Sequence, residues 1–553
     1  MSDARYDAVV LGGGHHSTII ACYLARAGMS VCVLERTPHF GGGASTSEGP
    51  APGFLMNHCS HWTRFYGHPA YRDFDLAAEG LRYVFPEQNE GMIFDDGSSF
   101  IGHSAARVVD AATGRTERSD SGIEQTFQQI ARVSPRDAET YLELLDAYEG
   151  HWKAAFRRHR FSPPTPWGTP DPLEELLDIR DSRIEPVHQF MTLRQLAFDF
   201  FESDELRLLF MRAATTSTGC YPDDVPGLQG LVHVLPLTLS FEPAAIAVGG
   251  SQAITDALMS AGHKLGVEYM SSADADRIVV EHGRAAGVEL ADGSRIDARL
   301  VVSGLGLPQT VLRLLRDSGA ADPDFERRLR NIHYDRGQLL WANLAIHEPP
   351  AYAADADNPG VGEQPRLYWG PKDVDYLTLR YQPEIFMNGF ASRPYVLCSV
   401  DSIWDETRAP AGSHIVGVEE FAAPRRLFSD AAWGEIKERF LDNLLREWQR
   451  YAPNMTPDNV VASRVYAPTD IERERPDMAQ GGYSAGSTIA SQLGRFRPVA
   501  GTSGYKLLLD NLYNCSANLH SGPGIGRGSS WNCFQEIASD LALEAPGVAA
   551  AAG

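Results

Sequence analysis

The chain has 553 residues, 43% of them hydrophobic, and a formal net charge of −23. This length and composition suffice for two or more hydrophobic cores, and the mixture of strand-like and helix-like segments indicates an α/β or α+β protein. So acidic a chain argues against a nucleic-acid-binding surface and against an electrostatic grip on anionic lipid.

The cysteines and the N-terminus indicate the compartment. The seven cysteines are scattered and lack C-x-x-C spacing, which is typical of reduced thiols rather than of a disulfide framework or a zinc site. The first predicted strand begins within six residues of the N-terminus, so no signal peptide fits, and no apolar run is long enough to predict a transmembrane helix. We expect a cytoplasmic protein, and the sequence leaves peripheral membrane contact open.

The first stretch of the chain has the pattern of a βαβ unit. Tyr6–Leu11 is a short apolar run typical of a buried parallel strand, and Gly12–Gly14 follows at once. Ser17–Ala27 has apolar residues on one face, which predicts a helix, and Ser30–Leu34 predicts a second strand ending at Glu35. Strand, glycine turn, helix, strand and acid in this order indicate a dinucleotide-binding unit.

Each residue type in this unit suits one part of a dinucleotide. Gly12 permits a tight turn, and Gly14 lets a pyrophosphate approach the backbone at the helix N-terminus, where N–H groups are free. Glu35 lies 21 residues after Gly14, where a carboxylate can bind the hydroxyls of an adenosine ribose. Ser17 replaces the third glycine of G-x-G-x-x-G, so its Cβ should hold helix and strand slightly further apart.

A second glycine cluster follows the βαβ unit. Gly41–Gly43 and Ala44 would pass close beneath a dinucleotide, and nicotinamide-binding domains do not usually have such a cluster. Its position indicates the longer pocket of a flavin protein. We find no second G-x-G-x-x-G unit in the sequence, which argues against a separate NAD(P)H domain.

These motifs resemble the opening of the phytoene desaturase-like FAD-dependent oxidoreductases, which include carotenoid desaturases, carotenoid isomerases and retinol saturase. The resemblance rests on Gly12, Gly14 and His15 of a G-x-G-H pattern, on Glu35-Arg36 and on the second glycine cluster.

A second match lies near the C-terminus. Asn511–Gly528 resembles the family's strand and glycine-rich loop, although Ser516 and Ser521 depart from its usual glycine and proline. The helix predicted over Ser529–Leu543 would direct the positive end of its dipole at the flavin pyrimidine.

The resemblance implies which residues contact FAD. Glu35 would hydrogen-bond the ribose, and a backbone N–H and C=O on the Arg277–Val279 strand would hydrogen-bond the adenine. The implied set is Gly12, Gly14, His15, His16, Ser17, Glu35, Arg36, Gly42, Gly43, Ala44, Ser60, Ile278, Val279, Gly304, Asn518, Gly524 and Ile525.

The segment Gly53–His61 matches the family's approach to the flavin ring. It contains His58, Cys59 and His61, but their spacing fits no common zinc pattern, so we expect no metal. Covalent attachment of the flavin through one of these three side chains stays open. His58, His61 and His520 are the candidates for acid–base catalysis, because their motifs should adjoin the flavin.

Two long segments separate the cofactor motifs. Residues 62–245 read as a mostly helical insertion, with a proline-rich loop at Pro163–Pro172. Residues 320–490 are rich in aromatic side chains, and alternation predicts strands at Gln338–His347 and Tyr395–Val400. Between the two segments, Ala247–Ser303 predicts a return to the cofactor domain through a helix and a strand–hairpin–strand set.

We therefore expect an α/β fold: a Rossmann-type FAD-binding domain of the glutathione-reductase-like superfamily with an inserted α+β substrate domain. Residues 1–80, 245–315 and 492–553 would form the FAD-binding domain. Residues 81–244 and 316–491 would form the substrate-binding domain.

The resemblance implies an FAD-dependent oxidoreductase that desaturates or dehydrogenates an apolar, isoprenoid or polyene-like substrate by hydride transfer to flavin N5. The electron acceptor would be a quinone, oxygen or another protein. Three alternatives stay open: a redox-neutral flavin-dependent isomerase of a similar substrate, a non-catalytic FAD-binding subunit of a complex, and an amine oxidase. The sequence does not decide the oligomeric state, and no nucleic-acid partner is expected.

Overall fold

Two seven-stranded sheets organise the computed structural model, which describes residues 5–502 and 504–544. The strands are β1 (Arg5–Leu11), β2 (Val31–Leu34), β3 (Thr46–Glu48), β4 (Leu55–Asn57), β5 (Tyr83–Val84), β6 (Gln88–Phe94), β7 (Ser99–His103), β8 (Ala106–Asp110), β9 (Arg115–Arg118), β10 (Ile246–Ala247), β11 (Glu268–Met270), β12 (Ala275–Glu281), β13 (Arg284–Leu290), β14 (Arg295–Ser303), β15 (Leu339–Ile346), β16 (Arg366–Gly370), β17 (Val396–Ser399), β18 (His414–Phe421), β19 (Val460–Tyr466) and β20 (Leu512–Asn514).

Helices cover both sheets. The α-helices are α1 (His15–Arg26), α2 (Pro69–Asp73), α3 (Asp120–Ala131), α4 (Pro135–Ala147), α5 (Lys153–Arg160), α6 (Leu193–Phe200), α7 (Asp204–Thr218), α8 (Gly227–Thr238), α9 (Gln252–Lys264), α10 (Pro323–Arg330), α11 (Val374–Leu379), α12 (Phe386–Asn388), α13 (Asp401–Trp404), α14 (Asp430–Trp448), α15 (Pro468–Glu474) and α16 (Ser529–Leu541).

The first sheet has the order β11-β2-β1-β14-β13-β12, with β20 paired to β14. Strands β1, β2, β11, β14 and β20 pair in parallel, whereas β12 and β13 extend the sheet as an antiparallel hairpin. The apolar residues of β1 and β2 are buried, as a parallel sheet covered on both faces requires. Helices α1, α9 and α16 share one hydrophobic core with this sheet, so both ends of the chain contribute to it.

The second sheet has the order β19-β15-β18-β17-β16-β6-β7. Helices α4, α7 and α8 pack against one hydrophobic core that includes residues of β6 and β7, and α14 packs into a second core with β15 and β18. The predicted α/β fold with an inserted α+β portion is therefore observed. Strands β15 and β17 fall within the segments for which alternation predicted strands.

The prediction that residues 62–245 are mostly helical is wrong in its first part, because β5 to β9 lie there. The polar residues at the start of β6 conceal the strand pattern. Glu90 is nevertheless fully buried, since Nη1 of Arg366 on the neighbouring strand β16 donates to its Oε1 (2.6 Å). A buried ion pair between distant residues cannot be read from hydrophobic periodicity.

Two features interrupt the regular α-helices of this region. A π-helical turn, Tyr148–Trp152, joins α4 to α5, and an extended break at residues 201–203 separates α6 from α7. Among the described residues, no helix is both long enough and apolar enough to cross a bilayer.

Candidate active site

A cavity of about 1500 Å³ lies where the two sheets meet. Its walls combine the glycine turn after β1, the second glycine cluster, the His58–His61 segment, Gly304 and the loop before α16. A typical small-molecule pocket has roughly 300–1,000 Å³. The cavity therefore has room for a dinucleotide and a second molecule.

The glycine turn leaves backbone space at one end of the cavity. Gly12 has a positive φ of 86°, and Gly14 is the extended residue at the N-terminus of α1, which has no side-chain cap. A Cβ added to Gly14 would meet no protein atom within 4 Å. The free N–H groups and the positive end of the α1 dipole are thus available to an anion.

Glu35 is held beside this turn. Backbone N–H groups of Gly13 and Thr37 donate to its two carboxylate oxygens, at 2.7 and 2.8 Å. Glu35 also lines the cavity, and each of its oxygens has a further lone pair available to a ligand hydroxyl.

Ser17 stands at the position of the third glycine of the motif. Its side chain fits there because the facing residue, Gly304, has no Cβ. A Cβ added to Gly304 would lie 1.9 Å from Oγ of Ser17 and 3.0 Å from the carbonyl oxygen of Leu11. Gly304 therefore leaves the space that the Ser17 side chain occupies between α1 and the end of β14.

This pairing predicts a rescue experiment. Gly304→Ala should destabilise the protein by about 1–3 kcal/mol because it overpacks this contact, and Ser17→Gly in the same chain should restore part of the loss. Urea unfolding of the two single variants and the double variant measures the coupling. Additive effects of the two substitutions would contradict the explanation.

Three residues expected at the cofactor are not in the cavity wall. Ala44 is fully buried, and its carbonyl accepts a hydrogen bond from Thr255, so Ser45 lines the cavity instead. Ile278 and Val279 lie further along β12, whereas Ala273–Ala275 form the wall beside Glu35. We therefore propose Ala273–Ala275, rather than Ile278 and Val279, as the contact for the adenine.

The loop before α16 closes the same cavity. Gly524–Arg527 line it, and α16 begins at Ser529 without a side-chain cap. Asn518 also lines the cavity, but its amide is engaged by protein: Oδ1 accepts from the N–H of Leu307, and Nδ2 donates to the carbonyl oxygen of Ala485.

The three candidate histidines lie in different surroundings. His520 is buried outside the cavity wall, with Nε2 2.8 Å from the carbonyl oxygen of His159, and burial lowers its pKa to about 3. The expectation that its ring adjoins the flavin is therefore not met. His58 lines the cavity with Nε2 2.6 Å from the Ser47 hydroxyl, and burial together with Arg475 lowers its pKa to about 4.

His61 belongs to a buried charged network at the cavity wall. Its Nδ1 lies 3.1 Å from Oδ2 of Asp401, and its Nε2 lies 3.8 Å from Oε1 of Glu419. An ionised Asp401 only accepts hydrogen bonds, so Nδ1 carries the proton and Nε2 is the free basic nitrogen of the neutral ring. Burial alone would lower the pKa of His61, but the Asp401 and Glu419 carboxyl groups raise it above its ordinary value.

Asp401 stays ionised because it has several donors. Ser399 donates to Oδ1 at 2.5 Å, Nδ2 of Asn57 donates to Oδ2 at 3.2 Å, and the Arg408 guanidinium lies 3.2 Å away. Burial opposes ionisation, but His61 and Arg408 together hold the pKa of Asp401 well below its usual range. Sequence analysis missed Asp401 and Glu419, since the first lies 340 residues from His61 and no motif marks either one.

Arginine side chains line another part of the cavity. Arg64, Arg160, Arg366 and Arg527 are all in its wall and surround His233, whose pKa burial and these four cations hold well below its usual range. Two of them have carboxylate partners. The guanidinium of Arg64 lies 3.7 Å from the carboxylate of Glu242, and the guanidinium of Arg366 forms an ion pair with the carboxylate of Glu90. The chamber is therefore not uniformly apolar.

In the ranges 5–502 and 504–544, no group of three or more His, Cys, Asp or Glu side chains is arranged to hold a metal ion.

A comparison with known families decides the class of this cavity. Residues 19–338 match the model of the flavin containing amine oxidoreductases, which is more than half of the chain. The chain belongs to this family. Its cofactor is FAD, and it is an FAD-dependent oxidoreductase.

Individual relatives agree with the phytoene desaturase-like resemblance. The chain is 25% identical to a limonene dehydrogenase subunit of Castellaniella defragrans, over 98% of this chain and 96% of that one. It is 27% identical to phytoene desaturase of Fusarium fujikuroi, over 58% of this chain and 53% of that one. The fold is shared with putrescine oxidase in its putrescine-bound structure, with a TM-score of 0.58, 14% identity and coverage of 97% and 99%.

The residues of this flavin containing amine oxidoreductase fit FAD. Gly14 has open space beside its Cα at the N-terminus of α1, Glu35 has lone pairs available to a ligand, and the buried Nε2 of His15 has no hydrogen-bond partner among the described residues. We propose that Gly12, Gly14, His15, His16, Ser17, Glu35, Arg36, Gly42, Gly43, Ser60, Gly304, Asn518, Gly524 and Ile525 hold it, since all of these line the cavity.

Proposed function

We propose that this protein dehydrogenates or desaturates an apolar, isoprenoid or polyene-like substrate, with His61 as the proton acceptor. The observation that carries the proposal is the position of His61. Its ring is buried in the cavity wall, hydrogen-bonded to Asp401 and oriented with Nε2 as the free base. Bound FAD supplies the hydride acceptor, N5.

The reaction leaves one proton for the protein to handle. As a substrate carbon loses a hydride, the adjacent carbon loses a proton, and a C=C bond forms between them. Nε2 of His61 accepts that proton, and the charge of Asp401 stabilises the imidazolium that results. Asp401 acts through His61 as a positioning residue and does not take up the proton itself.

The walls around His61 exclude water and restrict the substrate. Its ring stacks on Trp62 at 5.2 Å and packs edge-on to Trp341 at 5.5 Å. Gly417 leaves the space for the imidazole, because a Cβ there would lie 2.6 Å from Cε1 of His61. A ring confined in this way can hold one geometry toward a bound carbon chain.

A second candidate is an FAD-binding subunit of a multi-chain dehydrogenase. The relative that matches 98% of this chain is named a subunit, so a partner chain would complete the enzyme or receive its electrons. An amine oxidase agrees less well with the cavity, because protonated amines are cations and four arginines surround His233 in the wall. The electron acceptor in either case is a quinone, oxygen or a protein.

Anaerobic addition of substrate to the oxidised protein tests the proposal. Fractions of cell lipid extract are added under nitrogen, and the visible absorption of the flavin is followed together with the mass of the extracted lipids. Bleaching together with a product lighter by two hydrogen atoms is the expected result. Conversion that requires prior reduction by dithionite and leaves the mass unchanged would support the isomerase instead.

A further inference from the structure

We propose that the substrate carries an anionic group, a carboxylate or a phosphate, on its apolar chain, and that Arg160 and Arg527 bind this group. The inference rests on the proposed function and specifies its substrate class. It follows from the geometry of two cations in the cavity wall that have no carboxylate oxygen within 4.0 Å among the described residues.

Arg160 and Arg527 converge on one aromatic ring. The guanidinium carbon of Arg160 lies 4.6 Å from the centroid of Phe156, and that of Arg527 lies 5.4 Å from the same centroid. Arg160 ends α5, and Arg527 is in the loop before α16. All three residues line the cavity, so the two cations and the ring form one patch on its surface.

The backbone fixes this patch close to the cofactor loop. Nδ2 of Asn532 donates to the carbonyl oxygen of Arg160 at 3.1 Å, and a Cβ on Gly528 would lie 2.1 Å from the same oxygen. Gly528 therefore permits the close contact between the end of α5 and the start of α16. Because the chain of Arg160 is tied at this point, its side chain starts from a fixed position.

Neither arginine has an acidic partner. Among the described residues, no carboxylate oxygen lies within 4.0 Å of the guanidinium of Arg160 or Arg527, whereas Arg64 and Arg366 each have one. Nε of Arg160 and Nη1 of Arg527 are buried and have no hydrogen-bond partner. Burying a cation without a paired carboxylate costs free energy. An anionic ligand bound to the two guanidinium groups would reduce that cost.

The charges around the patch also favour an anionic ligand. The chain as a whole has a net charge of −23, yet four arginines surround His233 in this wall. Burial, with Arg160 and Arg497 nearby, lowers the pKa of Arg527 to about 9, so it remains a cation at neutral pH. A cationic recess in an acidic protein selects anions over cations of similar shape.

Arg160 is on a different element from the site proposed for the FAD pyrophosphate. That site is the Gly12–Gly14 turn at the N-terminus of α1. Arg160 belongs instead to α5, on the helical segment between β9 and β10, and packs with Phe156. Loss of the Arg160 charge should therefore leave FAD bound.

Four ten-carbon probes test the inference with the oxidised, FAD-loaded protein: decanoate, decyl phosphate, decanol and decyltrimethylammonium. Binding is measured from the change in the visible flavin spectrum. At least one anion should bind about tenfold more tightly than decanol, because hydrogen bonds between two charged groups are stronger than those to a neutral hydroxyl, and the stronger of the two anions identifies the head group. The cationic probe should bind most weakly.

Variants assign the effect to Arg160. Arg160→Gln should abolish the preference for anions over decanol, and Arg160→Lys should keep part of it. Arg158→Gln is the matched control, since Arg158 is on the same helix, is 57% exposed in its side chain and pairs with Glu175. The FAD content of all three variants should equal that of the unaltered protein.

Several results would overturn the inference. Decanol binding as tightly as both anions, an unchanged anion preference in Arg160→Gln, or no binding of any probe would each do so. The proposed function fails differently: anions bind and shift the flavin spectrum, but no lipid fraction reduces the flavin.

Discussion

Replacing His61 by glutamine should lower kcat by about 10²–10⁴-fold while FAD stays bound, because a general base of this kind contributes that factor. Glutamine can donate to Asp401 as the imidazole does, so the network around the carboxylate persists. It has no basic nitrogen to replace Nε2. The rate of flavin reduction by substrate under nitrogen measures the effect directly.

A matched control separates this effect from general damage. His347 is exposed at the end of β15, and His347→Gln should keep the full rate. If His61→Gln reduces its flavin as fast as the unaltered protein, His61 is not the base.

Asp401→Asn should move the acidic limb of the pH–rate profile to lower pH. The groups facing His61 are Asp401, Glu419 and Arg408, and removal of the first leaves burial and Arg408 to lower the pKa of the imidazole. Since only the neutral ring accepts a proton, activity would then extend to lower pH but at a reduced maximum, because the imidazolium is less stabilised. An unchanged limb would show that Asp401 has no influence on the base.

Gly14→Val should reduce the affinity for FAD by roughly 5–150-fold, the equivalent of a 1–3 kcal/mol overpacking cost. Gly14 has φ −72° and ψ 166°, which valine adopts readily, and its Cβ would meet no protein atom. The cofactor at the N-terminus of α1 is the group that this side chain is expected to displace. The ratio of flavin to protein after purification, and titration with added FAD, measure the loss.

Gly67→Val is the control for that experiment. Gly67 also has no neighbour within 4 Å of an added Cβ and no positive φ, but it lies outside the cavity wall. It should keep its FAD, and both variants should melt close to the unaltered protein. Normal flavin content in Gly14→Val would contradict the placement of the pyrophosphate.

Local patterns predicted the cofactor end of this protein well. The strand, turn, helix and acid from Tyr6 to Glu35 interact within one short segment, so their spacing is visible in the sequence. The family resemblance, rather than a local pattern, indicated Gly304 and the loop before α16, and both line the cavity. The same resemblance gave Ile278 and Val279 as the adenine contact, but these residues lie outside the cavity wall, which Ala273–Ala275 line instead.

The chemistry of the chamber could not be read in this way. Asp401 meets His61 across 340 residues, and no local pattern marks it. Strand β6 was missed because its polar start is buried only through Arg366 on β16. Likewise, Arg160 appears in the sequence as one of four basic or histidine residues at the end of a helix, and its unpaired position depends on tertiary contacts.

The cavity should perform a net oxidation with His61 as base. The most direct measurement is anaerobic mixing of oxidised holoprotein with a converted lipid fraction, comparing the unaltered protein with His61→Gln. The account predicts flavin bleaching matched by a product lighter by two hydrogen atoms, at a rate at least about a hundredfold slower in the variant. Product of unchanged mass, formed only from the reduced flavin and equally fast in both proteins, would contradict it.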